Sequence, residues 1–244
     1  AMWVTASAPG KLLLLGDHAV VYNHPCLVTA VDIRYDVSVA RQDRAVIEIE
    51  TPALKQANEV YRVSVHDAGA HYQADTAFVE AAVVQMQQLY GGKPGLKIAT
   101  SGPAHSFGLG SSSAVTVATL AALDRLFNLR LSRRELFSAG YQAVLDVQGL
   151  GSGFDVAAAV YGGTLYYVTG GAELEQLAVA DLPFVVGYSG AKVGTINLVK
   201  SVAERRRQYP EMVNSLFGIA HEIVETGKVH LLQRDWAAFG ALMD

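Results

Sequence analysis

Apolar and polar positions alternate in short runs over the first hundred residues, and from there the repeat lengthens toward that of helices. Strands are expected at 3–8, 11–15, 27–31, 34–39, 45–50 and 60–66, the first two separated by Pro9-Gly10. Phe78, Val79, Ala82, Val83, Met86 and Leu89 recur at helical spacing across 76–90, and Gly91-Gly92 is a helix stop. A strand at 96–100 is broken by Ser101-Gly102-Pro103. Residues 114–127 are apolar nearly all round, which predicts a buried helix. Ser132-Arg133-Arg134-Glu135 has the pattern of a capping box and opens a helix to near 147. A short helix at 155–161, strands at 164–168 and 184–188, and helices from near 195, 211 and 235 complete the chain. Sheet first, then helices interleaved with strands, then mostly helix, is an α+β order of two packed layers. A boundary at 169/170 divides it into an N-terminal domain, 1–169, mostly sheet with buried helices, and a C-terminal α/β domain, 170–244. Residues 236–243 read as an amphipathic helix without a cap, so a C-terminal portion is expected to be absent.

Composition narrows the class. Of 244 residues, 51% are hydrophobic and 17% charged, which excludes extensive disorder and allows one large domain or two joined closely. A net charge of -4 argues against a nucleic-acid binder. The single cysteine, Cys26, rules out an internal disulfide framework, fits a reducing compartment and reads as a packed core thiol. No stretch reaches the about 18 apolar residues of a membrane span. No signal peptide is expected, and Ala1 before Met2 reads as a residue left by an expression tag. The expectation is a cytoplasmic protein with no membrane partner.

Three segments could carry chemistry. Gly108-Leu109-Gly110-Ser111-Ser112-Ser113 runs into the buried helix, after His105, Ser106 and Phe107. Such a loop is either the capped start of a core helix or an anion site, with glycines admitting a ligand and serine hydroxyls available to phosphate or metal. It is neither a Walker A loop nor Gly-x-Gly-x-x-Gly. Pro9-Gly10-Lys11, with Gly16-Asp17-His18 a few residues on, could aim an ammonium at a phosphate or at a hydroxyl losing its proton, or could be a solvated strand edge. Gly149-Leu150-Gly151-Ser152-Gly153-Phe154-Asp155 puts an acid where a loop becomes a helix, as a cap or as a functional carboxylate. The seven histidines show no paired metal spacing. His221-Glu222-Ile223-Val224-Glu225 lacks the second histidine of a zinc-protease helix, and Arg205-Arg206-Arg207 reads as a solvated helix end.

In this order the segments resemble the GHMP superfamily, the small-molecule kinases grouped with galactokinase, homoserine kinase, mevalonate kinase and phosphomevalonate kinase. Pro9-Gly10-Lys11 through His18-Ala19-Val20-Val21-Tyr22 is similar to the first motif in its mevalonate kinase form, where a glutamate usually stands at the place of Asp17. Gly108 through Ala114 is similar to the phosphate-binding motif, and Gly151-Ser152-Gly153-Phe154-Asp155 with Tyr161-Gly162-Gly163 to the segment bearing the catalytic aspartate. The resemblance implies a two-layer GHMP-kinase-like fold and an enzyme using ATP and Mg²⁺. It further implies that Asp155 takes the proton of the acceptor hydroxyl and that Lys11 lowers that hydroxyl's pKa and steadies the transferring group. The amides of Gly108, Leu109, Gly110, Ser111, Ser112 and Ser113 would cradle the triphosphate, with Ser112 holding the metal. His18 and Thr195, with Lys11 and Asp155, would contact the acceptor.

Two departures follow. The resemblance implies a glutamate metal ligand eleven residues before the aspartate, where this chain has Val144, and Asp146 would face a different side of the helix. The family's third glycine-rich motif is absent. The acceptor evidence is divided: residues 16–25 and 189–195 resemble mevalonate kinases, whereas 151–162 resemble phosphomevalonate kinases. The expectation is phosphorylation of the primary hydroxyl of mevalonate, with phosphomevalonate kinase or a non-catalytic nucleotide-binding relative as alternatives. Homodimers are common in the family. A nucleic-acid-binding module, the other class suggested by this kind of fold, disagrees with the charge and the motif set.

Overall fold

The computed structural model describes residues 2–54, 59–103, 108–190 and 194–244, and all but the side chain of Thr195 within them. His105, Ser106 and Phe107 lie outside the described residues. The chain forms two compact units: the first takes described residues of 1–10, 32–106 and 110–149, the second those of 11–31, 107–109 and 150–244. The boundary expected at 169/170 falls within the second unit, at a 3₁₀ turn over Thr169–Gly171.

Two long strands contribute to both units, β1 (Val4–Leu15) and β2 (Cys26–Gln42). Each was expected as two strands. Pro9-Gly10 does not stop β1 because, among the described residues, β1 pairs with β2 alone, and a strand with one partner tolerates a residue without an N–H. In the first unit, β3 (Val46–Glu50), β4 (Tyr61–Ser64) and β5 (Gly95–Ser101) complete a sheet in the order β4-β3-β5-β2. β5 runs antiparallel to β2 from Asp36↔Ser101 to Gln42↔Gly95 and parallel to β3 from Ile47↔Leu96 to Glu50↔Ala99. Val37, Val39, Ile47, Ile49, Leu96 and Ile98 are buried at the two-residue period of strands. Gly95 has no alternative, since a Cβ there would lie 1.9 Å from the Arg44 carbonyl oxygen.

Helices α1 (Ala77–Tyr90), α2 (Ser111–Phe127) and α3 (Arg133–Gln148) pack against one another in the same unit. α2 is buried around most of its girth, as its all-apolar pattern requires. The expected capping box is present: Ser132 Oγ accepts from the Glu135 amide at 3.2 Å and Glu135 Oε2 accepts from the Ser132 amide at 2.8 Å.

In the second unit, β6 (Thr164–Tyr167) pairs antiparallel with the start of β2, Cys26↔Tyr167 to Thr29↔Thr164, and with β7 (Leu174–Leu177). Helix α4 (Phe154–Tyr161) precedes β6, and α5 (Thr195–Gln208), α6 (Pro210–Gln233) and α7 (Trp236–Ala241) follow β7. Leu15, Leu27, Tyr166, Leu177, Val224, Leu231 and Phe239 form one core. Gly227 lets α6 approach it, for a Cβ would come within 2.5 Å of Leu15 Cδ1 and 3.3 Å of Leu27 and Phe239. Sequence reasoning missed β7, whose Leu-Glu-Gln-Leu buries little, and expected a strand at 184–188. That segment carries no ladder; Val185 is fully exposed and Val186 59% exposed. A β-branched and aromatic run such as Phe-Val-Val-Gly-Tyr favours a strand only where a partner strand is available. The α+β class is as expected.

Candidate active site

Lys11 opens the half of β1 that belongs to the second unit. Its amide donates to the Leu109 carbonyl at 2.8 Å, and its ammonium donates to the Gly108 carbonyl at 3.3 Å. The same ammonium lies 5.4 Å from the centroid of the Phe154 ring, within cation–π range. One lysine therefore ties the glycine loop to the first residue of α4, next to Asp155.

Asp155 lies in the first turn of α4, behind an N-cap glycine, Gly153, whose φ of 86° suits a residue without a Cβ. It is not the cap itself. Its Oδ1 accepts from the Val156 amide at 3.0 Å, and the carboxylate is half-buried. The helix N-terminus favours a negative charge there.

Before α4 in sequence, β1 ends in a tight turn. Gly16 has φ 96°, and a Cβ on it would fall 2.6 Å from the Pro25 carbonyl and 2.9 Å from Cys26 Cβ. Asp17 Oδ1 accepts from the His18 amide at 2.9 Å. His18 itself has φ 58° and ψ -44°, a conformation disfavoured for a residue with a Cβ. Strain of that kind, on the order of 1–3 kcal/mol, persists where the surroundings over-determine the backbone, which is common at ligand sites. A 3₁₀ turn, Ala19–Tyr22, follows at once. Cys26 is fully buried, as expected of a packed thiol. Burial pushes it well above the ordinary thiol range; the Asp155 and Asp17 carboxylates add to that and the Lys11 ammonium opposes it. The three charged side chains thus act on one buried atom, so the first and third sequence segments converge around it.

In the first unit, Gly110 (φ 72°) is the N-cap of α2 and offers no side chain to its amides. Ser111, Ser112 and Ser113 form the first turn, where backbone N–H groups lack intrahelical acceptors and the dipole is positive. Ser113 is buried, Ser111 and Ser112 are half-buried, and a Cβ on Gly108 (φ 75°) would meet nothing within 4 Å. A helix start rich in unpaired N–H donors fits an anion site.

Valine stands at the position of the expected metal carboxylate. Val144 is buried in α3. Asp146 accepts from Gln85 Nε2 at 2.8 Å and from Gln142 Nε2 at 2.7 Å, so both of its oxygens serve helix packing. Among the described residues no group of three or more His, Cys, Asp or Glu could hold a metal ion. Thr195 opens α5 after Gly194, with its side chain outside the description. Phe154 and Asp17 stand in the motifs without a role; Lys11, far away in sequence, brings in Phe154, whereas Asp17 serves its own turn by accepting from the His18 amide.

The family described as GHMP kinases N terminal domain matches residues 77–163, which include the glycine–serine loop and Asp155. Among curated proteins, the mevalonate kinase of Pyrococcus abyssi is 33% identical over 239 residues, covering 95% of this chain and 70% of that protein. Among solved structures, Methanococcus jannaschii mevalonate kinase superposes with a TM-score of 0.77 at 20% identity, over 100% of this chain and 77% of that one. The Lin0012 protein of Listeria innocua gives 0.82 at 21% identity, over 99% and 76%. With such identity along nearly all of its length, the chain belongs to the mevalonate kinases of the GHMP kinase superfamily.

Proposed function

We propose that this chain phosphorylates the primary hydroxyl of mevalonate at the expense of ATP. The observation that carries the reading is Lys11, whose ammonium meets both the Gly108 carbonyl and the Phe154 ring beside Asp155. ATP supplies the phosphoryl group; a bound Mg²⁺ would supply charge neutralisation at its phosphates. Phosphoryl transfer needs mainly positioning and charge stabilisation, and these residue types supply both. Asp155 takes the proton from the acceptor hydroxyl, while Lys11 stabilises the oxygen as it loses that proton. The amides of Gly108, Leu109, Gly110, Ser111, Ser112 and Ser113 hold the triphosphate. The Ser112 hydroxyl would hold the Mg²⁺, an ion that needs few protein ligands when phosphates are bound. His18 and Thr195 hold the acceptor. A cytoplasmic location and a homodimer belong to the same reading, as does the assignment of 1–169 and 170–244 to N- and C-terminal kinase domains; sedimentation tests the dimer.

Mass-spectrometric assay with mevalonate and with 5-phosphomevalonate, each with ATP and Mg²⁺, decides the acceptor. Mevalonate is expected to be turned over; turnover of 5-phosphomevalonate alone would favour phosphomevalonate kinase. Buried Val144 and the engaged carboxylate of Asp146 favour a second reading, a nucleotide binder without catalysis. ATP binding with no phosphorylation of either acceptor would support it.

A further inference from the structure

We propose that Tyr167 is a positioning residue for the phosphoryl transfer, acting through the loop that carries Asp155. Tyr167 ends β6, is fully buried, and pairs across the ladder with Cys26, the thiol that feels Asp155, Asp17 and Lys11. Its phenol donates to the Ser152 carbonyl at 2.6 Å. The Gly170 amide donates to the same carbonyl at 3.1 Å. Two donors therefore hold one carbonyl in the glycine-rich loop, one residue before the Gly153 cap and three before Asp155. Gly151 and Gly153 have φ of 156° and 86°, so the loop is built from residues with few conformational restraints of their own. The pair of bonds at Ser152 restrains its course.

The residues that follow Tyr167 extend this hold. The Thr169 hydroxyl donates to the Val20 carbonyl, in the 3₁₀ turn directly after His18. The Thr169–Gly171 turn packs on both α4 and the Ala19–Tyr22 turn. Residues 167–170 thus grip the loop before Asp155 on one side and the turn behind His18 on the other. Tyr167 acts through the loop, and its effect is to fix where the carboxylate points. The inference rests on the reading of Asp155 as proton acceptor.

Tyr167→Phe keeps the ring in the core and removes the donor. Tyr166→Phe is the control: it removes a phenol of the same strand that donates to Glu225 at 2.6 Å, away from the loop. Two readouts are compared, hydrogen exchange of the amides at 150–157 and steady-state kinetics with mevalonate and ATP. Tyr167→Phe should speed exchange at 150–157 and lower kcat about tenfold or more, with both KM values within about twofold. Tyr166→Phe should change neither readout by more than about twofold. Unchanged exchange at 150–157, or faster exchange with unchanged kcat, overturns the proposal. Equal losses in the two variants also overturn it, since they would reflect general destabilisation. Asp155→Asn, measured alongside, separates the two layers: if it retains full turnover, the assignment of the base fails, whatever Tyr167→Phe does to exchange.

Discussion

Lys11, Asp155 and Gly16 illustrate how single residues carry the candidate site. Asp155 is expected to matter for the proton and little for the nucleotide. Asp155→Asn, isosteric and uncharged, should lower kcat about a hundred- to ten-thousandfold while leaving ATP affinity within a few-fold, measured by single-turnover kinetics and titration calorimetry. Gly16 matters through space alone. At φ 96° any Cβ is strained, and here it would also meet the Pro25 carbonyl at 2.6 Å and Cys26. Gly16→Ala should destabilise by roughly 2–4 kcal/mol, the sum of left-handed strain and overpacking, read by urea denaturation. The turn bearing His18 stands between that glycine and Cys26, so the same variant should also weaken acceptor binding. The glycine at 16 was visible in the sequence, but its necessity was not. It follows from the backbone of 25–26 returning beneath it, a contact between strands.

At the scale of elements, helices were more legible than strands. α1, α3 and α4 begin and end within a few residues of expectation because their caps and stops are local: Gly91 and Gly149 end α1 and α3 in the left-handed conformation, and Ser132 with Glu135 closes the capping box. The helix expected from 114 begins at Ser111, because three serines after a left-handed glycine can serve as a first turn. β1 and β2 run through positions that read as breaks, since pairing overrides local propensity. α6 meets its core at Gly227. Gly227→Val should destabilise by about 1–3 kcal/mol, less if the Leu15 side chain swings aside, since the nearest atom is a flexible methyl. Thermal melts against the exposed-face control Ile219→Ala would measure it; an unchanged midpoint would show that the core yields freely.

For the whole molecule, the two units should respond to acid in different ranges. In the second, His24 Nδ1 lies 3.2 Å from His221 Nδ1, and His221 Nε2 lies 3.8 Å from Glu225. Burial, and then the charge of His221, hold His24 below its ordinary value. The unfolded chain then binds the proton more readily, so stability falls as pH drops below about 6.5, the unfolded value. In the first unit, burial of Glu48 opposes its ionisation, but Arg62 at 3.1 Å and Arg44 at 2.5 Å outweigh it and hold the carboxyl below the usual range. That contribution is intact above the unfolded carboxyl value of about 4.3 and disappears as pH falls through the lower folded value. Exchange protection around His24 and α6 should therefore decline as pH falls below about 6.5, with protection of β3 and β4 persisting until pH falls below about 4.3. Simultaneous loss in both regions would contradict this.

The order of elements, the α+β class and the candidate residues were present in the sequence, because caps, glycine loops and hydrophobic period are local properties of neighbouring residues. The family follows from the same letters. What the letters alone left open was which residues meet. That Lys11 lies against Phe154 and Gly108, that His18 is held at positive φ, that Asp146 is occupied by two glutamines, and that Tyr167 holds Ser152 are contacts that reach across as many as 143 positions, or backbone states imposed by packing. Their partners are chosen by strand pairing and burial, and those depend on the whole chain folding at once.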